Sequence, residues 1–140
     1  MKQLEGGGTK QDLARYRLEI ASNDVKSAEI LKEAGDYRGA NNRTYYAIFH
    51  AINAVHALDE KAYRRHRDAI GNFNKDYVKT GIFPRELGRK ISKIEEIRHA
   101  SDYDDFYIAV KEETEEAVVT AKEFITEMKS YIAKRIKEDE

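Results

Sequence analysis

The sequence contains no cysteine, which excludes disulfide bonds, thiolate metal ligands and a cysteine nucleophile. Proline occurs once, at Pro84, and no apolar run approaches the roughly 20 residues that a membrane-spanning helix needs. The N-terminus also lacks the apolar core of a signal peptide. These absences predict a soluble, cytoplasmic protein that does not contact a membrane.

Neither sign of charge is in excess. The chain has 25 Lys and Arg residues against 26 Asp and Glu residues, a formal net charge of −1. No global positive field is present to concentrate nucleic acid, so any contact with nucleic acid has to be local. The length of 140 residues fits one domain, and 41% apolar with 36% charged residues is typical of a compact amphipathic helical protein.

The N-terminal residues differ from the rest of the chain. Residues 1–10 include three consecutive glycines and show no apolar periodicity, so they are expected to form a flexible segment of the kind that expression vectors add. From residue 11 onward the pattern changes to a helical one. We therefore expect a single helical domain over residues 11–137.

Apolar residues recur every three or four positions along most of this domain, and this period predicts helices. The predicted helices cover residues 11–35, 38–58, 70–81, 84–98 and 104–137. The second is apolar on nearly every face, which places it at the centre of the protein. Since the connections are short and no segment has a convincing strand pattern, the sequence predicts an all-α, up-and-down bundle of four to five helices.

Particular residues define the ends of the later helices. Pro84 is expected at the first position of the fourth helix, where its missing N–H has no partner in any case. Residues 101–105 offer side-chain oxygens as N-caps for the fifth helix, whose buried stripe is expected to begin with Val110. Arg98 continues the apolar seam of the fourth helix, four residues after Ile94.

Common catalytic patterns are absent from the sequence. It has no phosphate-binding glycine loop, no H-E-x-x-H and no G-x-S-x-G. Among the histidines, His50 and His56 share a predicted helix, but a separation of six residues puts them on different faces. Glu96-Ile97-Arg98-His99 is the single Glu-x-x-His spacing, and one copy does not make a di-iron site. We therefore expect no metal and no cofactor.

The informative residues form three groups in a fixed order. These groups are Asn42–Ala51 (N-R-T-Y-Y-A-I-F-H-A) with the later His66, then Phe73–Gly81, then Arg98–Tyr103 (R-H-A-S-D-Y). This succession closely resembles the HEPN superfamily, the higher eukaryotes and prokaryotes nucleotide-binding domain. The resemblance covers roughly residues 11–135 and is to the small single-domain members from bacteria and archaea.

The resemblance implies an α-helical bundle that forms a homodimer. Many members of the superfamily look like metal-independent endoribonucleases of toxin–antitoxin, phage-defence and RNA-processing systems. Others pair with a minimal nucleotidyltransferase, and some retain a binding role alone. The nuclease members carry an arginine and, four to six residues later, a histidine. Histidine can act as general base or acid near neutral pH, while arginine holds the phosphate and offsets developing charge.

This chain departs from that motif at the histidine. Arg98 is present and polar His99 follows it, but Asp-Tyr-Asp-Asp occupies positions 102–105. A tyrosine is a poorer base than a histidine at neutral pH, although the Tyr103 hydroxyl can orient a phosphate or accept a modification. By the resemblance, Arg98, His99 and Tyr103 are the candidate catalytic residues. The candidate phosphate- or nucleotide-binding residues are Arg98, Asp102, Tyr103, Arg43, His50 and His66.

Several of these candidates also have a purely structural interpretation. Arg98 can pair with Asp102, since an unpaired arginine on an apolar seam is costly. His50 fits a hydrogen-bonded core histidine, and His66 lies in the run Arg-Arg-His-Arg, which can be a solvated basic surface. Arg43 and His50 lie seven residues apart on one helical face, about 10 Å along the axis, and structural use is the better interpretation of that pair.

Three functions of different class remain. The chain is a nucleotide- or RNA-binding component of a toxin–antitoxin or defence-like module with a minimal nucleotidyltransferase partner, a metal-independent endoribonuclease toxin, or a non-catalytic dimeric scaffold. The near-neutral charge and the missing histidine weaken the endoribonuclease. The polar cluster from Arg98 to Tyr103 is hard to explain by packing, which weakens the scaffold. We favour the binding component.

Overall fold

The computed structural model describes residues 8–140, and in that range the chain forms helices and loops but no β-strand. Five α-helices are present, and a π-helical turn, Asn74–Val78, directly continues the third. The helices are α1, Lys10–Glu33; α2, Tyr37–Leu58; α3, His66–Phe73; α4, Arg85–Tyr103; and α5, Lys111–Glu138. The expected all-α bundle is confirmed.

Helix α2 lies at the centre of the bundle, as its apolar sequence predicts. It packs against α1, α3, α4 and α5, while α5 also packs against α1 and α4. Small residues on one face of α2, Ala47, Ala51 and Ala54, have no exposed surface and allow a neighbouring helix to approach closely. None of the helices described is long and apolar enough to cross a bilayer.

Helix α1 begins one residue before the expected start, because Thr9 and Asp12 form a capping box. The Thr9 hydroxyl accepts a hydrogen bond from the backbone N–H of Asp12, and the Asp12 carboxylate accepts one from the N–H of Thr9. Thr9 and Lys10 are thus part of the ordered helix start. The rest of the expected flexible segment falls mainly on residues 1–7, which lie outside the described residues.

Helix ends elsewhere follow the turn residues closely. Gly35 and Gly81 have φ angles of +83° and +86°, which side-chain-bearing residues rarely adopt, and they follow α1 and the π-helical turn at the expected places. Pro84 was expected at the first position of α4, but it is the N-cap and has an extended backbone, and the helix begins one residue later, at Arg85.

The fifth helix starts later than the sequence predicts. Helix α4 continues through Ser101 to Tyr103, and α5 begins only at Lys111, so residues 101–105 do not cap α5. Val110, expected in the buried stripe, is the N-cap of α5 and is 46% exposed.

Arg38 of α2 explains this difference. Its guanidinium donates hydrogen bonds to the carbonyl oxygens of Ser101 at 2.7 Å and Asp104 at 3.1 Å, and also to that of Tyr107. The Asp104 carboxylate accepts a further bond from the N–H of Phe106. Because Arg38 and this turn occupy those backbone groups, residues 104–110 form an irregular connection instead of helix.

Candidate functional site

The N-terminal half of α2 meets the C-terminal half of α4, which brings two of the three sequence groups together at Arg98. Arg98 Nε lies 2.8 Å from Oδ2 of Asp102, one turn later on α4. Its Nη2 donates a 3.3 Å hydrogen bond to the hydroxyl of Tyr46 on α2. The structural pairing of Arg98 with Asp102 is therefore present.

Three tyrosine rings surround the Arg98 guanidinium. Its central carbon lies 4.7 Å from the ring centroid of Tyr45, 5.5 Å from that of Tyr46 and 5.6 Å from that of Tyr103. Contacts of a cation with aromatic faces are favourable at these distances. The rings and the carboxylate together restrict the guanidinium to a narrow set of orientations.

Asn42 and Arg43 close a ring of contacts around this arginine. The Asn42 amide donates a 3.0 Å hydrogen bond to Asp102, and its oxygen accepts bonds of 3.1 and 2.9 Å from Nε and Nη2 of Arg43. Arg43 in turn lies over the ring of Tyr46, 4.9 Å from its centroid. We call these five residues, Asn42, Arg43, Tyr46, Arg98 and Asp102, the Arg98 cluster.

Arg43 and His50 share a partner on α1 that is not among the sequence-predicted site residues. Arg43 Nη1 lies 3.1 Å from Oδ1 of Asp24, and His50 Nε2 lies 3.7 Å from its Oδ2. Burial raises the pKa of Asp24 against the opposing charges of His50 and Arg43, and burial lowers the pKa of His50. These contacts tie α1 to α2, which supports the structural interpretation of the pair. The sequence did contain a sign of this partner, because Asp24 is a carboxylate on the apolar stripe of α1, between Ala21 and Ala28.

His66, the first residue of α3, lies next to the Arg98 cluster. Its Nδ1 is 3.2 Å from the hydroxyl of Tyr45, and its ring centroid is 4.1 Å from that of Phe49. Burial and the positive charge of Arg98 lower the pKa of His66, so the ring is neutral near pH 7. The structure thus supplies a neutral histidine beside the arginine, from α3 instead of α4.

An open groove of about 780 Å³ runs beside Arg98, between α4 and the connection that follows it. His99 and Tyr103 line it, with their rings packed 4.9 Å apart, and Tyr103 is 64% exposed. Its other charged lining residues are carboxylates: Glu95, Glu96, Asp104 and Asp105. Burial raises the pKa of Glu95. The groove therefore has an acidic rim around one arginine.

One atom of Arg98 remains available at this groove. Nε is buried and lies 2.8 Å from Asp102 Oδ2 without an aligned hydrogen bond, and Nη2 donates to the Tyr46 hydroxyl, whereas Nη1 forms no hydrogen bond within residues 8–140 and is not fully buried. A guanidinium N–H in this position can donate a charge-assisted hydrogen bond to an anionic oxygen. The arrangement can therefore hold one phosphate or carboxylate group.

The predicted site residues divide into two sets. Arg98, His99 and Tyr103 line the groove, and Asp102 orients Arg98 from within the same helix. Arg43, His50 and His66 do not line the groove, although Arg43 belongs to the Arg98 cluster and His66 adjoins it through Tyr45. Across residues 8–140 no three His, Asp or Glu side chains are grouped as metal ligands would be.

Comparison with known proteins places this chain in a family. Residues 14–131 match the model of the family described as "HEPN domain". A "UPF0332 protein" of Thermotoga maritima is 25% identical over 88% of this chain and 93% of its own. The "Putative toxin MJ0605" of Methanocaldococcus jannaschii is 32% identical over 92% of this chain and 95% of its own.

A solved structure has the same fold. The crystal structure of TT1696 from Thermus thermophilus matches with a TM-score of 0.68 and covers 87% of this chain and 97% of that chain. Its sequence identity of 20% makes this a similarity of fold alone. Because the family match spans most of the helical bundle, this chain belongs to the HEPN domain family.

Proposed function

We propose that this chain is the HEPN component of a toxin–antitoxin module, that it binds a phosphate of RNA or of a nucleotide at the Arg98 groove, and that it acts with a minimal nucleotidyltransferase partner. Two similar proteins of Methanocaldococcus jannaschii are named "Putative toxin", which supports a module of this kind. The observation that carries the binding role is the unpartnered Nη1 of Arg98 at an open groove in the described part of the chain.

The surroundings of Arg98 favour phosphate binding because they hold the guanidinium in place before a ligand arrives. Asp102 and the tyrosine rings fix the side chain, so little rotational freedom is lost when an oxygen binds. A hydrogen bond to a charged group contributes about 1.5–3 kcal/mol, which corresponds to roughly a tenfold to hundredfold change in affinity.

Because the rim of the groove is acidic, we expect a positively charged protein surface to lie against it. Glu95, Glu96 and Asp104 repel additional phosphates, and opposite charge on a partner removes that repulsion. The exposed arginines Arg64, Arg65 and Arg67, which flank His66, carry that charge. We infer a homodimer in which these arginines of one protomer approach the groove of the other. Light scattering at micromolar concentration tests this, and a monomeric mass contradicts it.

The binding role is tested by comparing Arg98→Gln with Arg15→Gln, which removes an exposed arginine of α1. Fluorescence anisotropy with a labelled oligoribonucleotide should show at least tenfold weaker binding for Arg98→Gln and unchanged binding for Arg15→Gln. Melting curves of both variants serve as the control for folding. Equal affinities for the two variants and the unmodified chain would contradict the proposal that Arg98 binds a phosphate.

A second candidate function is a metal-independent endoribonuclease, and the position of His66 favours it. The Nε2 atom of this neutral histidine has no hydrogen-bond partner in the described part of the chain, while Nδ1 is engaged by Tyr45. His66 would take the proton of a ribose 2′-hydroxyl as that oxygen bonds to phosphorus and displaces the 5′-oxygen of the next nucleotide, which would leave with a proton from water. Arg98 would offset the charge that develops on the phosphate, and the product would be a 2′,3′-cyclic phosphate.

This candidate is tested by incubating total RNA with the purified protein in EDTA. Cleavage that is lost in both Arg98→Gln and His66→Gln but kept in His99→Gln and Tyr103→Phe would assign the reaction to Arg98 and His66. Cleavage lost in Tyr103→Phe but kept in His66→Gln would assign the base to Tyr103 instead. Intact RNA with every protein leaves the binding role.

A further inference from the structure

A second open cleft, of about 670 Å³, lies between the N-terminal half of α4 and the segment that contains the π-helical turn. Four cations line this cleft: Lys79, Arg85, Arg89 and Lys93. Its one acidic lining residue is Glu96. Ser92 and Glu96 line both this cleft and the Arg98 groove, so the two form neighbouring parts of one surface along α4.

The four cations of the cleft are exposed and unpaired. None of them forms an ion pair with a carboxylate anywhere in residues 8–140, although Glu86 and Glu96 lie on the same helix. In a chain with a formal net charge of −1, they form a local positive surface. The N-terminus of α4 adds its partial positive charge to this surface.

Their spacing matches a single strand of nucleic acid. Arg85, Arg89 and Lys93 follow one another at four-residue intervals, which puts them on one face of α4 with about 6 Å between successive residues. That interval is comparable with the distance between successive phosphates of an extended strand. From Arg85 to Arg98 the helix extends for about 20 Å, so several nucleotides can lie along it.

The composition of the cleft favours a nucleic acid over a protein as its ligand. Protein interfaces depend on buried aromatic and apolar anchors, whereas binding of a phosphate backbone needs mainly cations. No large, exposed apolar side chain of the described residues lines the cleft. Ile82, just before α4, is exposed but does not line the cleft, and the other exposed apolar residues near α4 lie at its far end and beyond it, at Tyr103, Phe106, Ile108 and Val110.

We propose that this basic cleft binds the sugar–phosphate backbone of single-stranded RNA and directs one phosphate to Arg98. The inference rests on the proposed function, because it takes the Arg98 groove as the end of the bound strand. The row of cations is one residue wide, so it fits one strand. The carboxylates around Arg98 repel any additional phosphate, so the bound strand ends there.

The test compares two combined variants with equal loss of charge. The cleft variant carries Arg85→Gln, Arg89→Gln and Lys93→Gln, and the control variant carries Lys26→Gln, Lys129→Gln and Lys134→Gln, which are exposed lysines of α1 and α5. Fluorescence anisotropy measures binding of a uridine dinucleotide and of an oligouridylate of about eight nucleotides, longer than the cleft. Circular dichroism checks the folding of both variants.

We expect the cleft variant to bind the longer oligonucleotide at least tenfold more weakly and the dinucleotide as well as the unmodified chain does. The slope of log affinity against log salt concentration should become shallower by about 2, because each phosphate contact of a single strand contributes about 0.7. Replacing Arg85 and Arg89 by lysine, which keeps the charge, should retain most of the affinity. The control variant should resemble the unmodified chain.

Two results overturn the inference while the proposed function stands. One is equal binding of the longer oligonucleotide by the cleft and control variants while Arg98→Gln still weakens dinucleotide binding. The other is a cleft variant that retains RNA binding but no longer binds a nucleotidyltransferase partner, which would assign the cleft to a protein. If the unmodified chain binds neither oligonucleotide, the inference and the proposed function fail together.

Discussion

Two arginine clusters of similar composition can be compared within residues 8–140, and they differ in which polar atoms they leave without a partner. In the second, which we call the Arg135 cluster, Arg135 Nη2 lies 2.8 Å from Oδ1 of Asp59 and Nη1 donates a 2.7 Å hydrogen bond to the Tyr131 hydroxyl. The Tyr77 hydroxyl donates to the other oxygen of Asp59. Both Nη atoms of the arginine and both oxygens of the carboxylate therefore have partners.

The location of the two clusters accounts for the difference. Asp59 is the C-cap of α2, Tyr77 lies in the π-helical turn and Arg135 lies near the end of α5, so the Arg135 cluster joins three elements. The ion pair of the Arg98 cluster joins two residues of the same helix and leaves Nη1 without a partner among residues 8–140, at a groove. The same residue types thus hold the fold in one place and are available to a ligand in the other.

The largest effect on stability is expected from removing Arg135. Arg135→Gln leaves Asp59 partly buried without its cation and should lower the free energy of unfolding by about 2 kcal/mol, less than the 3–5 kcal/mol of a fully buried pair. Arg98→Gln removes an ion pair within one helix and the contacts of the cation with the tyrosine rings, but a glutamine can still donate to Asp102 one turn away, so a loss of about 1 kcal/mol is expected. Urea unfolding at neutral pH measures both losses. A larger loss for Arg98→Gln would make its cluster the structural one.

Acid should also weaken the Arg135 cluster. Burial raises the pKa of Asp59, but the hydrogen bonds from Arg135 and Tyr77 outweigh it, so the pKa is below its usual value. A carboxylate with a lowered folded-state pKa stabilises the fold above its unfolded-state pKa of about 3.9. That contribution is lost as the pH falls through the folded-state value.

This linkage is tested with Asp59→Asn. The variant should be less stable than the unmodified chain near neutral pH, and the difference in the free energy of unfolding should shrink as the pH falls below about 4. Urea unfolding across a pH series gives both curves. Parallel curves for the two proteins would show that Asp59 has the same pKa in the folded and unfolded chains.

The fold was predictable where its causes are local, and so was part of the site. The apolar faces of α2 required a central helix, and the four-residue spacing of Arg98 and Asp102 indicated their pairing. The end of α4 was not predictable, because Arg38 binds carbonyl oxygens that are more than 60 residues away and belong to the backbone, which leaves no pattern in the side chains. Asp24 was not predicted either, because its contact with Arg43 joins two different helices and leaves no spacing pattern in the sequence.

The smallest effects, from removing a single hydroxyl, sharpen the comparison between the clusters. Tyr77→Phe deletes a hydrogen bond to a carboxylate that stays partly buried and should cost about 1 kcal/mol of stability. Tyr46→Phe deletes a long bond of 3.3 Å but keeps the ring under Arg43 and Arg98, so a loss of a few tenths of a kcal/mol is expected.

The Tyr46 result also bears on ligand binding. Because Tyr46→Phe leaves Asp102 and the aromatic contacts of Arg98 in place, the variant should bind an oligoribonucleotide nearly as well as the unmodified chain, unlike Arg98→Gln. Urea unfolding and fluorescence anisotropy on the same preparation give both quantities. If Tyr46→Phe destabilised the chain as much as Tyr77→Phe, the Tyr46 hydroxyl would be an essential partner of Arg98. The Arg98 cluster would then stabilise the fold as the Arg135 cluster does, and the contrast between the two clusters would rest on Nη1 of Arg98 alone.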